Sequence, residues 1–93
     1  MHIATIAHAG DGNLHPLLIA PPGDEAARAA AQAAFELLLD AAIALGGTVT
    51  GEHGVGILKR AGIRRELDPG TLALQDAVRR ALDPGELFNP GKC

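Results

Sequence analysis

A dense turn signal at residues 10–13, between two short apolar runs, constrains this chain more than any other feature of its sequence. The four residues are Gly-Asp-Gly-Asn, and glycine and asparagine tolerate the positive φ angles that tight turns need. Residues 2–7 before the turn and residues 14–20 after it have the apolar content and loose alternation of β-strands. The sequence therefore predicts a β-hairpin. His8 and His15 stand on either side of its turn, and the fold-back allows both to face one point.

Two helices are predicted downstream, each with a recognisable start. Asp24 is a favourable N-cap for a long helix that the glycine pair at 46–47 ends. The apolar residues of this helix recur at three- and four-residue steps and form one stripe: Phe35, Leu38, Leu39, Ala42 and Leu45. The Asp-Pro pair at 68–69 is typical of an N-cap followed by a first turn, and it predicts a second helix over about residues 69–82.

A second glycine-rich segment, residues 51–56, has the sequence Gly-Glu-His-Gly-Val-Gly. The β-branched residues 48–50 before it predict a short strand. Loops that follow strands commonly carry functional side chains, so Glu52 and His53 are candidate site residues. The surrounding glycines allow the backbone to approach a ligand closely. Residues 57–60 continue from this loop as either strand or turn.

The composition indicates a single domain over residues 1–93 with a small apolar core. Hydrophobic residues make up 47% of the chain but aromatic residues only 2%, and much of the apolar content is alanine, which buries little surface. The net charge of -3 argues against a nucleic-acid-binding function. No apolar run is long enough for a membrane span. The lone cysteine, Cys93, cannot form an internal disulfide, and we expect a cytoplasmic protein.

Two histidines and one carboxylate form a ligand set for a divalent metal that leaves coordination positions open for a substrate. His8, His15 and Glu52 are the natural trio, and zinc, iron or manganese suit such ligands. The alternative is that both histidines are ordinary strand residues with common hydrogen bonds. The residues alone do not decide between these two interpretations.

His53 is the best candidate for proton transfer, because imidazole titrates near neutral pH. Alternatively, it is a fourth metal ligand or a hydrogen-bond partner of Glu52. Asp11 and Asn13 are typical of turns in which the side chain bonds its own backbone, although Asn13 could also reach a cofactor. Two interpretations, an anion site or a solvated face, fit four basic residues: Lys59, Arg60, Arg64 and Arg65.

Three motifs follow one another in the chain: residues 8–16 (HAGDGNLHP), residues 51–56 (GEHGVG) followed by Lys59, and residues 87–92 (LFNPGK). Together they resemble the C-terminal end of FAD-linked 2-hydroxy acid oxidases and dehydrogenases. This family includes the glycolate oxidase flavoprotein subunit, D-lactate dehydrogenase and D-2-hydroxyglutarate dehydrogenase. The resemblance implies an α+β fold, namely the C-terminal portion of a ferredoxin-like cap domain. It would have a β-hairpin, two main helices and an incomplete sheet with open edges.

The resemblance also implies roles for individual residues. His8, His15 and Glu52 match the positions that bind a divalent metal in metal-dependent members. His53 matches the base that abstracts the substrate hydroxyl proton as hydride leaves for the flavin. The tail that contains Asn89 approaches the flavin. The implied cofactors are FAD and the metal, and contacts to them are expected from three residues: Asn13, Glu52 and Asn89.

Two departures from the family pattern limit what the resemblance implies. Leu17 stands where the 2-hydroxyglutarate enzymes carry an asparagine, which argues against a C5 diacid and leaves small 2-hydroxy acids as the expected substrates. The large N-terminal FAD-binding domain is absent from these 93 residues. We therefore expect a fragment that works with a flavin-binding domain or subunit and has no turnover alone. Two alternatives stay open: a non-catalytic remnant or module that folds only with such a subunit, and an independent small metalloprotein.

Overall fold

The structure, a computed structural model, describes residues 2–92, so Met1 and Cys93 lie outside it. The chain forms two compact units, one ending at Gly47 and the other beginning at Thr48. In chain order the elements are β1 (His2–His8), a short 3-10 helix (Ala9–Asp11), β2 (Asn13–Ile19), α1 (Glu25–Ala44), α2 (Arg60–Glu66) and α3 (Pro69–Leu82). The antiparallel pair of strands and the three helices form an α+β fold, as predicted.

The predicted hairpin is confirmed, with strand limits within one residue of those expected. β1 and β2 pair antiparallel, and His8 lies opposite Asn13 next to the turn. Gly12 allows the chain to reverse, because it adopts a φ of +72°. Its N–H donates a hydrogen bond of 3.2 Å to the carbonyl oxygen of Ala9. The glycine-rich turn thus fixes which residues of the two strands face each other.

Both ends of α1 follow from its sequence. The side chain of Asp24 caps the helix, since its Oδ1 accepts a 2.9 Å hydrogen bond from the N–H of Ala27. At the other end, the N–H groups of Gly46 and Gly47 donate to carbonyl oxygens of the last turn at 3.0 and 2.8 Å. These two bonds form a Schellman motif, which requires the φ of +82° at Gly46. Between its caps, α1 buries Leu39.

α3 begins and ends where the sequence predicts. Oδ1 of Asp68 accepts a 2.7 Å hydrogen bond from the N–H of Thr71, and Pro69 is the first helical residue. The hydrogen bond from Thr71 stabilises the ionised carboxylate and lowers the pKa of Asp68. The Asp-Pro signal therefore acts as expected, through an acceptor for an N–H group that the helix cannot satisfy itself.

The strand predicted at residues 48–50 is wrong. These residues pair with no other strand in the part of the chain that the structure describes. The N–H of Val49 instead donates a 2.7 Å hydrogen bond to Oε1 of Glu66. A carboxylate of α2 thus accepts the hydrogen bond that a carbonyl oxygen of a neighbouring strand would have accepted. Residues 57–60, predicted as either strand or turn, form a turn and the first residue of α2, a helix that the sequence did not predict.

Few apolar side chains are buried. Leu39 and Val49 are the buried hydrophobic residues among residues 2–92, with exposures of 6% and 5%. Many large apolar side chains are exposed, among them Ile3, Ile6, Leu14, Leu45, Leu58, Leu74, Leu82, Leu87 and Phe88. Exposed apolar surface of this kind is typical of surfaces that contact further protein, as expected for an incomplete sheet. None of the described helices is long and apolar enough to cross a membrane.

Candidate functional site

The hairpin places three predicted site residues on one face of its sheet. Side chains along a strand alternate between the two faces, and residues directly opposite each other share a face. His8 lies opposite Asn13, and Ile6 lies opposite His15. His8, Asn13 and His15 therefore share a face. The diagonal spacing between His8 and His15 in such a ladder is roughly 7 Å.

The turn determines this arrangement of the histidines. The 3-10 helix and the left-handed Gly12 occupy residues 9–12, which sets His8 against Asn13. A slip of one residue would place His15 on the face opposite to His8. Asn13 and His15 are half-buried, whereas His8 is exposed. The imidazoles are thus on a shared and accessible surface at the turn end of the sheet.

Side-chain hydrogen bonds hold the loop of residues 50–59 in shape. Oγ1 of Thr50 donates to the carbonyl oxygen of Gly54 at 3.0 Å, and Nζ of Lys59 donates to the same Oγ1 at 3.4 Å. Gly54 and Gly56 have φ angles of +76° and +56°. Residues with a Cβ atom rarely adopt such angles, so the two glycines permit the bends that form this loop.

Glu52 and His53 lie together in this loop. Oε1 of Glu52 is 3.4 Å from Nε2 of His53, and the two side chains are 52% and 54% exposed. The alternative that His53 is a hydrogen-bond partner of Glu52 stays a prediction, as does its role in proton transfer. A carboxylate next to an imidazole is also an arrangement that orients a general base, so the contact is compatible with proton transfer by His53.

Asp83, at the end of α3, holds the start of the C-terminal tail, residues 86–92. Asp83 is buried, with 8% of its surface exposed. Its carboxylate accepts hydrogen bonds from the N–H groups of Leu87 and Phe88 at 2.9 and 3.0 Å. These two donors, Leu87 foremost, lower the pKa of Asp83, and the positive charge of Arg79 acts in the same direction. The carboxylate is therefore ionised at neutral pH and anchors the tail.

Arg79 holds the remainder of this tail. Its Nη2 donates to the carbonyl oxygens of Phe88 and Asn89 at 3.1 and 3.0 Å, and its Nη1 donates to the carbonyl oxygen of Lys92. Asn89 adopts a φ of +45°, which is uncommon for a residue with a side chain. The sequence did not point to Arg79 or Asp83. The available signal was their four-residue spacing just before a Pro-Gly turn.

An open groove of about 580 Å³ lies between α2, α3 and the tail. Arg60 and Arg64, two of the four basic residues noted in the sequence, line it one helical turn apart. Lys59 does not line the groove and binds Thr50 instead. Lys59, Arg60 and Arg64 are thus divided between the loop and the groove, and Arg65 lies in α2.

The predicted site residues lie in both units. His8, Asn13 and His15 belong to the hairpin, whereas Glu52, His53 and Asn89 follow residue 48. Among residues 2–92, no group of three His, Cys, Asp or Glu side chains lies close enough to hold a metal ion. The chemistry of the predicted ligands still fits a divalent metal, because two imidazoles and a carboxylate are common ligands of such ions.

The whole chain, residues 1–93, matches the family described as FAD linked oxidases, C-terminal domain. The chain belongs to this family. The resemblance inferred from the three motifs is therefore confirmed.

The chain is also similar in sequence to D-lactate dehydrogenases and to a glycolate oxidase subunit. The chain is 41% identical over 85 residues to a probable mitochondrial D-lactate dehydrogenase of Danio rerio, an alignment covering 91% of this chain and 17% of the relative. It is 40% identical over 90 residues to a glycolate oxidase subunit of Bacillus subtilis, covering 97% of this chain and 19% of the relative. A mitochondrial D-lactate dehydrogenase (cytochrome) of Arabidopsis thaliana is 39% identical over 87 residues, covering 94% and 15%. The chain thus spans less than a fifth of the length of these relatives.

Proposed function

We propose that this chain is the C-terminal, substrate-side segment of a flavin-dependent 2-hydroxy acid oxidoreductase of the glycolate or D-lactate type. The observation that carries the proposal is the shared face of His8, Asn13 and His15 in a chain of the FAD-linked oxidase family. The substrate class is supported by the names of the relatives, which are a glycolate oxidase subunit and D-lactate dehydrogenases. Leu17, with its apolar side chain, favours a small acid over a C5 diacid.

In this proposal, His8, His15 and Glu52 hold a divalent metal: zinc, manganese or iron. Such a metal, when bound, supplies a Lewis acid for the oxygens of a 2-hydroxy acid. The support for it is the chemistry of the three ligands and the common face of the two imidazoles. Asn13 shares that face and has an amide that can donate a hydrogen bond to an anionic oxygen.

His53 accepts the proton of the substrate hydroxyl group at an imidazole nitrogen. FAD, when bound, would supply the acceptor for the hydride that leaves the carbon bearing this hydroxyl group. The 3.4 Å separation between Nε2 of His53 and Oε1 of Glu52 supports this role, because a carboxylate beside an imidazole is an arrangement that orients a general base. The second carboxylate oxygen of Glu52 leaves this residue able to serve as a metal ligand as well.

A flavin-binding domain or subunit completes the proposed enzyme. In this account the tail with Asn89 lies on the flavin side, and the chain alone has no turnover. The exposed apolar residues support a protein partner, because large apolar side chains such as Phe88, 70% exposed, favour contact with other protein. A cytoplasmic location remains part of the proposal.

A second candidate function is a non-catalytic module that folds only with a flavin-binding subunit. The small number of buried apolar residues favours it, because so little burial stabilises an isolated chain weakly. The two candidates differ in one property: only the first requires His53 for the oxidation of a substrate.

The direct test is a chimera in which this chain replaces the 90 matched residues of the Bacillus subtilis glycolate oxidase subunit. We expect the purified chimera to bind FAD and to oxidise glycolate or D-lactate in the presence of an electron-accepting dye. The parent subunit serves as the control for folding and flavin content. A folded chimera that contains FAD but oxidises neither acid would contradict the proposed function.

A further inference from the structure

Two side chains at the C-terminal end of α3 hold the C-terminal tail through its backbone: Arg79 in the last turn and Asp83, the residue that follows the helix. We propose that Arg79 and Asp83 are positioning residues, which set the conformation of the tail on the flavin side of the site. The inference rests on the proposed function, because that function is what assigns Asn89 to the flavin side. We call the two side chains together the tail clamp.

The two members of the tail clamp bind complementary groups. Asp83 accepts from the N–H groups of Leu87 and Phe88. Arg79 donates to the carbonyl oxygens of Phe88, Asn89 and Lys92. Both polar backbone groups of Phe88 are therefore bound by the clamp. A carboxylate can only accept and a guanidinium can only donate, so neither residue can take the role of the other.

Side-chain packing does not explain the conformation of the tail. The two large apolar residues of the tail, Leu87 and Phe88, are 79% and 70% exposed. The tail also lies outside the helices and strands, so no ladder of regular hydrogen bonds fixes it. Charge-assisted hydrogen bonds to the backbone are stronger than neutral ones, and the clamp provides them from a rigid helix.

The clamp fixes the backbone on both sides of Asn89. The carbonyl oxygens of Phe88 and Asn89 are both held by Nη2 of Arg79. Asn89 itself has a φ of +45°, a left-handed conformation that asparagine adopts at a cost in energy, although at a smaller one than most residues with a side chain. We infer that the clamp compensates for this cost and thereby sets the direction in which the Asn89 side chain leaves the tail.

The same helix provides a matched control pair. Arg80 and Asp76 form an ion pair of 2.9 Å at a four-residue spacing, with exposures of 75% and 52%. They have the same chemistry and helical spacing as Arg79 and Asp83. Substitutions in this pair therefore reproduce the loss of charge without removing the bonds to the tail.

The first test measures the tail in the full chain by nuclear magnetic resonance. In Asp83→Asn, we expect hydrogen exchange of the Leu87 and Phe88 amides to become at least tenfold faster. In Arg79→Met, we expect the backbone coupling of Asn89 to change from the value for positive φ to an averaged one. Arg79→Lys should restore part of the ordered signal, since lysine keeps a charged donor, and Arg80→Met and Asp76→Asn should match the parent chain. A tail that is equally ordered in Arg79→Met and in the parent chain would overturn the clamp.

The second test measures the flavin in the chimera described above. We expect Arg79→Met to shift the flavin absorbance spectrum and weaken FAD binding about tenfold, Arg79→Lys to recover most of both, and Arg80→Met to change neither. A disordered tail in Arg79→Met with an unchanged flavin spectrum and affinity would overturn the positioning role and leave the proposed function standing. A parent chimera that is folded but binds no FAD would overturn the proposed function, and the positioning role with it.

Discussion

The N–H of Val49 donates a 2.7 Å hydrogen bond to Oε1 of Glu66, which joins the residue just before the loop of residues 50–59 to the last residue of α2. Val49 is 5% exposed, so water could hardly replace the carboxylate of Glu66 as the acceptor for this N–H group. We expect Glu66→Ala to lower the free energy of unfolding by about 1–3 kcal/mol, the cost of leaving a buried donor unsatisfied. Denaturant unfolding of the two proteins measures this difference.

Glu66→Gln is the matched control for that experiment, because the amide keeps an oxygen that accepts from Val49. Glu66→Gln should retain most of the stability that Glu66→Ala loses. It should also retain the slow hydrogen exchange of the Val49 amide. Equal exchange of this amide in Glu66→Ala and in the parent chain would show that the hydrogen bond does not hold the loop.

Gly46→Ala should destabilise the first unit. Gly46 has a φ of +82°, and an alanine there costs about 1 kcal/mol or more because its Cβ meets the neighbouring carbonyl. Gly10→Ala is the control, since a Cβ at Gly10 meets no atom within 4 Å and its φ is not positive. Thermal unfolding followed by circular dichroism should give a lower midpoint for Gly46→Ala only. Equal midpoints for both variants would contradict the Schellman cap.

Acid should release the tail. The pKa of Asp83 is lowered in the folded chain, chiefly by the N–H of Leu87. A carboxyl group with a lowered pKa contributes stability that is fully present above its unfolded pKa and is lost as the pH falls through the folded pKa. Because the ordinary value is 3.8, we expect the loss below about pH 4.

Hydrogen exchange of the Leu87 and Phe88 amides, corrected for the intrinsic effect of pH, measures this release. Protection should be constant from pH 7 to pH 5 and fall below pH 4 in the parent chain, whereas in Asp83→Asn it should be low throughout. Protection that stays constant to pH 2 in the parent chain would contradict the role of the ionised carboxylate.

The hairpin and the two long helices could be predicted because their signals are local. Gly12 supplies the positive φ of the turn, Asp24 and Asp68 cap their helices, and Gly46 ends the first one. Each signal works through atoms within a few residues. These signals also placed His8 and His15 close together, because the turn length determines the strand register.

The other elements could not be predicted because their interactions are distant in sequence. Val49 has a β-branched side chain that favours a strand, but its N–H is bound by Glu66, 17 residues away. The tail carries a family motif but no signal for its conformation beyond its turn residues. This conformation depends on Arg79, which is up to 13 residues from the carbonyl groups that it binds. No local propensity records such contacts, so α2 and the tail clamp were found only in the structure.

The metal assignment predicts which side chains are needed for metal binding. In the chimera, we expect about one divalent metal per chain by elemental analysis, and we expect its loss in His8→Ala and Glu52→Ala. His2→Ala is the control, because His2 pairs with Ile19 at the other end of the hairpin. Full metal content in both His8→Ala and Glu52→Ala would show that these residues are not the ligands.

The reduction of the flavin by substrate tests the central claim most directly. The chimera is mixed with glycolate or D-lactate without oxygen, and bleaching of the flavin absorbance is followed over a single turnover. We predict rapid bleaching in the parent chimera and in its His2→Asn variant. In the His53→Asn variant we predict a rate at least about a hundredfold lower, because a general base contributes at least that factor. Equal rates in His53→Asn and the parent chimera, or no bleaching by either acid in a chimera that contains FAD, would contradict the account.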